Sequence, residues 1–197
     1  MLYTVLQCLF VALLVIGIIV CIRKRWKVRH YILTFCLILI IMVAASFAVE
    51  NLVTFSSPEK AFLFSQSGEI KIIEEGKNSA GILYYQGDTQ QQDIIMRQGD
   101  RWKIGADFLN KEIRLEYEPM KSITVKRARG TLDYYVLIYQ PFTSKVIEVS
   151  DNKGSEFRFI QEDHKEMETF GAIYYAYVYD LNDTYELYID GKTIKLS

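Results

Sequence analysis

Few residues in this chain have the types and spacing that catalysis requires. Nucleophilic catalysis places a base beside a serine or cysteine nucleophile, and the sequence beyond residue 52 contains one histidine, His164. This histidine lies in the charged run of residues 162–166, which is typical of an exposed loop. No G-x-S-x-G motif is present. The sequence therefore predicts no catalytic residue.

Acidic side chains are the other candidates for chemistry. Four of them could bind Ca²⁺ if the chain brought them together, namely Glu162, Asp163, Glu166 and Glu168. They lack the ligand spacing and the fixed glycine of a calcium loop, so we interpret them as solvated surface charges. Residues 151–154, Asp-Asn-Lys-Gly, are interpreted as a turn. We expect neither a metal nor a cofactor.

The tyrosines suggest a binding surface. Twelve of the fourteen lie beyond residue 52. In a strand over residues 172–179, side-chain alternation places Tyr175, Tyr177 and Tyr179 on one face. Such a face could be an exposed aromatic platform for a glycan or a protein partner. The alternative, which we favour, is a cross-strand aromatic ladder that stabilises the sheet.

A basic cluster is the second candidate binding surface. It consists of Lys126, Arg127 and Arg129, in a region whose other charges are mainly acidic. These residues could contact an anionic lipid or a cell-wall polymer. The alternative, which we favour, is that they protect an edge strand from aggregation. Alternation places Arg127 on the same face as Ile123 and Val125, and Lys126 on the opposite face.

Two uncharged segments predict how this part of the chain is anchored. Residues 2–22 and 31–49 carry no charged side chain, and each is close to the roughly 20 apolar residues that cross a bilayer. The short linker between them contains five basic topology determinants, Arg23, Lys24, Arg25, Lys27 and Arg29. Because such loops stay in the cytoplasm, we predict a transmembrane helical hairpin in the plasma membrane, with both termini outside the cytoplasm. Cleavage after Ala48 is the alternative.

Charge and cysteine content support the same division. The chain has 197 residues and a net charge of −1, from 23 basic and 24 acidic side chains, which excludes a strongly basic nucleic-acid-binding protein. The total combines +4 in residues 1–52 (5 basic, 1 acidic) with −5 in residues 53–197 (18 basic, 23 acidic). All three cysteines lie in the predicted spans, so the second part contains no disulfide. We therefore predict a domain boundary after residue 52.

Residues 53–197 are predicted to form one all-β extracytoplasmic domain, a sandwich or a small barrel, with a short N-terminal helix. The helix covers residues 58–64 and is capped by Ser56 and Glu59. Twelve short runs of strand-forming residues follow, of which we expect two or three to be overcounted. They cover residues 69–74, 80–86, 93–98, 101–104, 112–117, 122–129, 132–140, 145–150, 156–161, 172–179, 185–189 and 193–196.

Three connections in this domain have distinct patterns. Asp190-Gly191, between two apolar runs, predicts a two-residue hairpin turn with positive φ angles. Residues 106–110 are compatible with a further short helix. Residues 161–170 are polar enough for a loop or for one helical turn. The strands must therefore be held together mainly by hairpin connections.

Several short motifs resemble a known group of proteins. They are residues 57–62 (SPEKAF), 68–70 (GEI), 150–157 (SDNKGSEF) and 188–192 (YIDGK). In these motifs the chain resembles small, uncharacterised, membrane-anchored exported β-domain proteins of Gram-positive bacteria. The resemblance implies a bacterial cell-envelope setting and a β-rich fold. It implies no catalytic residue, because that group has no settled activity.

The leading functional prediction is a membrane-anchored, non-enzymatic interaction or regulatory module of the cell envelope. Its partners would be the lipid bilayer and a protein, a peptide or a glycan, and not nucleic acid. An envelope hydrolase that uses paired carboxylates or His164 is the alternative. A second alternative is an accessory subunit whose helices pack in a membrane complex. Burial of the three tyrosine rings would exclude the aromatic platform.

Overall fold

The structure is a computed structural model that describes residues 11–12, 15–20, 23, 28–104, 110–116, 122–143, 146–164 and 169–196. Two helices have defined bounds, α1 over Val28–Leu52 and α2 over Pro58–Ser65. Before Val28, the structure describes residues 11–12, 15–20 and 23, and all of these are helical. A Cβ placed on Gly17 would lie 3.4 Å from Ile38 Cδ1, so these residues pack beside α1.

Helix α2 begins where the sequence supplies a cap. The Ser57 hydroxyl accepts a hydrogen bond from the Lys60 N–H at 3.3 Å, and Pro58 occupies the first turn, where its missing N–H removes no helical bond. Phe62 is fully buried on the face that contacts the first sheet. The predicted helix is confirmed, but its cap is Ser57 and not Ser56, whose hydroxyl instead accepts a hydrogen bond from Lys60 Nζ at 3.0 Å.

The rest of the described chain is rich in β-strands. They are β1 Glu69–Glu75, β2 Ser79–Gln86, β3 Thr89–Gln98, β4 Arg101–Lys103, β5 Lys111–Glu116, β6 Ser122–Arg127, β7 Asp133–Thr143, β8 Val149–Asp151, β9 Arg158–His164, β10 Thr169–Tyr179, β11 Glu186–Ile189 and β12 Lys192–Lys195. They form three antiparallel sheets, with the orders β1-β2-β3-β4, β5-β6-β7-β10-β9 and β12-β11-β8. Each of the twelve predicted strands overlaps an observed strand, so the expected overcount is wrong.

The sheets pack in layers. Helix α2 covers one face of the four-stranded sheet around Phe62. The opposite face packs on the five-stranded sheet, where Leu83 contacts the cluster that contains Tyr135. The other face of the five-stranded sheet packs on the three-stranded sheet, in a core that includes Val136 and Leu187. The central sheet is thus covered on both faces, and the arrangement is consistent with a β-sandwich.

The turn at Asp190-Gly191 forms as predicted. It joins β11 to β12, with φ angles of 47° at Asp190 and 75° at Gly191. A two-residue hairpin loop needs positive φ at both positions so that its twist matches that of the strands, and Asp-Gly tolerates this conformation. This hairpin places Ile189 and Ile194 in the core beneath the central sheet.

The prediction of a transmembrane hairpin is wrong, and so is the prediction of a two-span plasma-membrane protein. Among the residues that the structure describes, no helix is long and apolar enough to cross a membrane. Of the predicted topology determinants, Lys24, Arg25 and Lys27 lie outside the described residues, and Arg23 is exposed. The domain boundary after residue 52 stays a prediction.

The prediction of a loop or helical turn over residues 161–170 is wrong for both ends of this segment, whereas residues 165–168 lie outside the described residues. β9 continues to His164 and β10 begins at Thr169, and these two residues are paired. The polar composition of this segment concealed the strands because backbone pairing with the rest of the sheet outweighs local propensity at a sheet margin. The short helix considered near residues 106–110 falls mainly outside the described residues.

Candidate functional site

The three tyrosines of the predicted platform lie on the face of β10 that packs on the four-stranded sheet. Tyr175 is fully buried, Tyr177 is half-buried, and Tyr179 is 38% exposed. Tyr135 of β7 stacks beside Tyr175, with ring centroids 6.2 Å apart and planes 18° apart, and lies 5.7 Å from Tyr177. Tyr135, Tyr175 and Tyr177 therefore form a cross-strand ladder between two sheets, and the predicted platform is wrong for Tyr175 and Tyr177, whereas the Tyr179 ring is exposed.

Beneath the ladder lies a buried polar cluster, which we call the intersheet seam. Its centre is Asp133, which has no exposed surface. Asp133 Oδ2 accepts hydrogen bonds from the Asn78 N–H at 2.7 Å and from Ser79 Oγ at 2.8 Å, and Oδ1 accepts one from the Tyr177 hydroxyl at 2.9 Å. Since Ser79 gives its proton to Asp133, the Tyr135 hydroxyl donates to Ser79 Oγ at 2.8 Å. These partners satisfy a carboxylate that burial alone would make unfavourable.

Two glycines make room for the rings of the seam. A Cβ on Gly81 would collide with the Tyr175 hydroxyl and with the Tyr135 ring, and a Cβ on Gly76 would collide with the Tyr177 ring. The absence of a side chain at these positions lets the four-stranded sheet approach the tyrosines of the central sheet closely. The side chains of the seam are therefore closely packed around these two glycines.

Burial raises the pKa of Tyr135 and of Tyr175 well above the ordinary tyrosine value, and hydrogen bonding with Ser79 and with Gln92, respectively, opposes this effect in part. Burial, with a contribution from Asp133, raises the pKa of Tyr177 to about 12. These hydroxyls stay protonated at neutral pH. Those of Tyr135 and Tyr177 donate to Ser79 and Asp133, and that of Tyr175 accepts from Gln92 Nε2 at 2.9 Å. The seam is thus suited to joining two sheets and not to proton abstraction.

Lys126 of the basic cluster extends into the space between the same two sheets. Its Nζ donates to the Gln92 carbonyl at 2.7 Å and lies 3.5 Å from Glu112 Oε2. Its strand, β6, lies between β5 and β7, so the prediction that the cluster protects an edge strand is wrong. Lys126 is held by internal contacts, and its charge is not presented to a partner.

Arg127 points to the opposite face of the central sheet and lines a cavity. The cavity has a volume of about 180 Å³ and lies where the central sheet meets the segment after β10. Its lining residues are Ile113, Val125, Arg127, Tyr134, Leu181, Asn182, Asp183 and Leu196. Four of these eight residues are aliphatic, and Arg127, Asn182 and Asp183 are polar or charged, so the lining is mixed. We call this space the Arg127 cavity.

The Arg127 side chain is fixed on one side and open on the other. Its Nε donates to the Thr131 carbonyl at 2.9 Å, and its guanidinium carbon lies 5.4 Å from the centre of the Tyr134 ring. Within the described part of the chain, no carboxylate forms an ion pair with Arg127. A guanidinium has five N–H donors, so this group can still bind an anion.

The rim of the cavity is held in place by its own hydrogen bonds. The Asp180 N–H donates to the Leu132 carbonyl at 2.7 Å, and Asn182 Oδ1 accepts from the Thr184 N–H at 3.2 Å and from the Thr184 hydroxyl at 2.7 Å. Lys153 Nζ donates to the carbonyls of Tyr179 and Asp180. The segment after β10 therefore adopts its conformation before any ligand binds.

Asp183 brings a negative charge to this rim. Its side chain is exposed, and no cation of the described chain forms an ion pair with it. The residues that line the cavity therefore include one arginine and one aspartate beside four aliphatic residues. Arg129, the third residue of the basic cluster, is exposed and does not line the cavity; its N–H donates to Asn110 Oδ1 at 3.1 Å.

Sequence reasoning found one member of this site, Arg127, and missed the others. The lining residues extend from Ile113 to Leu196 and come from several strands and a loop. No local spacing connects them, because the packing of the central sheet on the chain after β10 creates the cavity. Residues 182–184 had a signal, an Asn-Asp-Thr turn, but a turn pattern does not indicate what lies beneath it.

The other residues considered for chemistry are not brought together. His164 pairs with Thr169 at the end of β9. Glu162 and Asp163 are consecutive residues of the same strand, and Glu166 and Glu168 lie outside the described residues. Across the described ranges, no group of three or more His, Cys, Asp or Glu residues could hold a metal ion.

Residues 151–154 form the predicted turn. Asp151 Oδ1 accepts hydrogen bonds from the Lys153 N–H at 3.0 Å and from the Ser155 N–H at 2.8 Å. The Asn152 side chain links this turn to β11, because its Oδ1 accepts from the Glu186 N–H at 3.1 Å. The turn thereby supports the Lys153 contacts that hold the cavity rim.

Comparison with known proteins adds no family assignment. No protein-family model, no curated protein and no solved structure matches the chain. The resemblance to membrane-anchored exported proteins of Gram-positive bacteria stays a prediction from the motifs. The chemistry of the Arg127 cavity is therefore the basis for a functional proposal.

Proposed function

We propose that the β-rich part of this protein is a non-enzymatic binding module, and that the Arg127 cavity is its ligand site. The observation that carries this proposal is a half-buried arginine, without an ion-pair partner in the described chain, in a cavity that four aliphatic residues also line. The forked donors of a guanidinium match the two oxygens of a carboxylate. Ligand sites typically combine mainly apolar walls with a few such polar groups.

The ligand of this module would carry a carboxylate beside a small aliphatic group. A cavity of about 180 Å³ is smaller than the roughly 300–1,000 Å³ of sites for drug-sized molecules. This size favours a small molecule, or the end of a peptide, over an oligosaccharide. The hydrolase and accessory-subunit hypotheses stay predictions from the sequence, and the contacts described above favour neither.

The simplest test uses 4-methylpentanoate, a branched carboxylate of the expected size. Titration of the full chain, followed by NMR, should give saturable shifts for the methyl groups of Val125 and Leu196. Because the ligand has eight heavy atoms, we expect a dissociation constant of about 1 mM. Arg127→Gln should weaken binding by about tenfold or more, since a hydrogen bond to a charged group contributes about 1.5–3 kcal/mol.

Arg129→Gln is the matched control for this experiment. It removes the same charge two residues away, at an exposed position outside the cavity, and should leave the dissociation constant unchanged. Absence of saturable binding, or an equal loss of affinity in both variants, would contradict the proposal. A loss in Arg127→Gln alone would support it.

A further inference from the structure

We infer that the occupant of the Arg127 cavity is a small aliphatic α-amino acid in its zwitterionic form. This inference depends on the proposed function and adds the chemical class of the ligand. Its starting observation is that the cavity wall contains both Arg127 and Asp183. A zwitterion carries a carboxylate and an ammonium group on one carbon, and can therefore pair with both charges at once.

A ligand with a single charge would leave one of these groups without a partner. A carboxylic acid would pair with Arg127 and reduce the hydration of Asp183, and an amine would have the opposite effect. Loss of hydration without a compensating contact weakens binding. No internal partner neutralises either side chain within the described residues. The pair of opposite charges therefore favours a neutral, dipolar ligand.

The volume and the walls specify the side chain of that amino acid. An apolar cavity of about 150 Å³ can hold one benzene molecule, with six heavy atoms, so about 180 Å³ suits the branched side chain of leucine, valine or isoleucine, with the charged groups of the ligand at the cavity opening. The aliphatic side chains of Val125, Leu181 and Leu196 would contact its branched end. A tryptophan side chain would exceed this volume, and a charged side chain would meet these aliphatic residues.

The rim geometry supports binding of a free amino acid. The hydrogen bonds of Asn182 to Thr184, and of Lys153 to the carbonyls of Tyr179 and Asp180, fix the loop that carries Asp183. A carboxylate on a fixed loop can bind an ammonium group without a large loss of conformational entropy. The loop therefore selects for a positive charge next to the carboxylate that Arg127 binds.

The test compares three ligands on the full chain by isothermal titration calorimetry: leucine, 4-methylpentanoate, which lacks the ammonium group, and leucinamide, which lacks the carboxylate. We expect leucine to bind at least about tenfold more tightly than either analogue.

Asp183→Asn should remove the advantage of leucine over 4-methylpentanoate and leave the affinity for 4-methylpentanoate unchanged or higher. Asp88→Asn, at an exposed turn between β2 and β3, is the matched control and should change nothing.

The outcomes separate this inference from the proposed function. If 4-methylpentanoate binds as tightly as leucine, or if Asp183→Asn leaves the preference intact, the zwitterion inference is wrong and the binding module still stands. If none of the three ligands binds to the wild-type chain, both are wrong. Tighter binding of tryptophan than of leucine would also overturn the assignment of an aliphatic ligand.

Discussion

The two faces of the central sheet bury similar residues in different ways. On the face toward the four-stranded sheet, the Tyr177 hydroxyl donates to a buried carboxylate, Asp133, and the Tyr135 hydroxyl is connected to the same carboxylate through Ser79. On the face toward the three-stranded sheet, Tyr174 is bonded to backbone alone: its hydroxyl donates to the Ile147 carbonyl at 2.9 Å and accepts from the Ile147 N–H at 3.1 Å. One face is a connected polar network, and the other is an apolar core.

This difference explains where a cavity can exist. Polar groups in the seam must meet at hydrogen-bond distance, so the two sheets are held in one register and their side chains are closely packed. Aliphatic packing on the opposite face has no such directional requirement, and at its margin the Arg127 cavity remains open. The seam thus contributes mainly to stability, whereas the cavity is available for binding.

The largest effect that would distinguish the two faces is expected for Asp133→Ala. This change leaves the Ser79 and Tyr177 hydroxyls and the Asn78 N–H without their acceptor in a buried site. We expect the free energy of unfolding, measured in urea, to fall by about 4 kcal/mol. Asp183→Ala, on the exposed rim of the cavity, should change it by less than about 0.5 kcal/mol.

Asp133→Asn provides a milder version of the same test in case the alanine variant does not fold. It keeps the side-chain volume and one acceptor oxygen, so a loss of about 2 kcal/mol is expected. If both substitutions of Asp133 cost less than about 1 kcal/mol, the seam is not a major source of stability. The contrast between the two faces would then be lost.

A smaller effect is expected for Gly81→Ala, which tests how closely the sheets approach. The added methyl group would meet the Tyr175 hydroxyl and the Tyr135 ring, so one of the sheets must shift. Overpacking of this kind costs about 1–3 kcal/mol, and we expect a value near the upper end because the neighbouring rings are buried. The measurement is again urea-induced unfolding.

Gly87→Ala is the control for this substitution. Gly87 has a φ of 62° in the turn between β2 and β3, and no atom lies within 4 Å of a Cβ placed there. Its cost should therefore be conformational, about 1 kcal/mol. A Gly81→Ala variant that is as stable as Gly87→Ala would show that the seam can expand to accept a methyl group.

The local elements of the fold are predictable from the sequence because their causes are local. The run from Ser57 to Phe62 contains a cap, a first-turn proline and an apolar face, and it forms α2. Asp190-Gly191 contains the residue types that its hairpin turn requires. Short runs of β-branched and aromatic residues between turn residues are sufficient to locate each strand approximately.

Local patterns do not predict which sheets pack on the two faces of the central sheet. Alternation correctly separates Tyr175 and Tyr177 from Tyr174 and Val178, but it does not indicate that sheets cover both sides. The order β5-β6-β7-β10-β9 likewise depends on long-range pairing, which is why Arg127 was assigned to an edge strand. The Arg127 cavity depends on the same long-range packing and has no local sequence pattern.

The smallest effect is expected in alkaline solution. Burial raises the pKa of Tyr177 to about 12 from the ordinary value near 10. Between pH 10 and pH 12 the unfolded chain loses a proton that the native state retains, so unfolding is favoured as the pH rises. The stabilising contribution of the protonated hydroxyl is therefore complete below pH 10 and is lost as the pH passes through 12.

Tyr177→Phe should make the decrease in unfolding free energy between pH 10 and pH 12 shallower, because it removes one of the groups that ionise more readily in the unfolded chain. Urea unfolding at several pH values measures this slope, and ultraviolet difference absorption of tyrosinate follows the ionisation itself. An unchanged slope in the variant would mean that Tyr177 ionises at its ordinary pH in the native state. The seam would then be open to water at this end, and the contrast with the solvent-accessible Arg127 cavity would be weaker than the hydrogen bonds of Asp133 indicate.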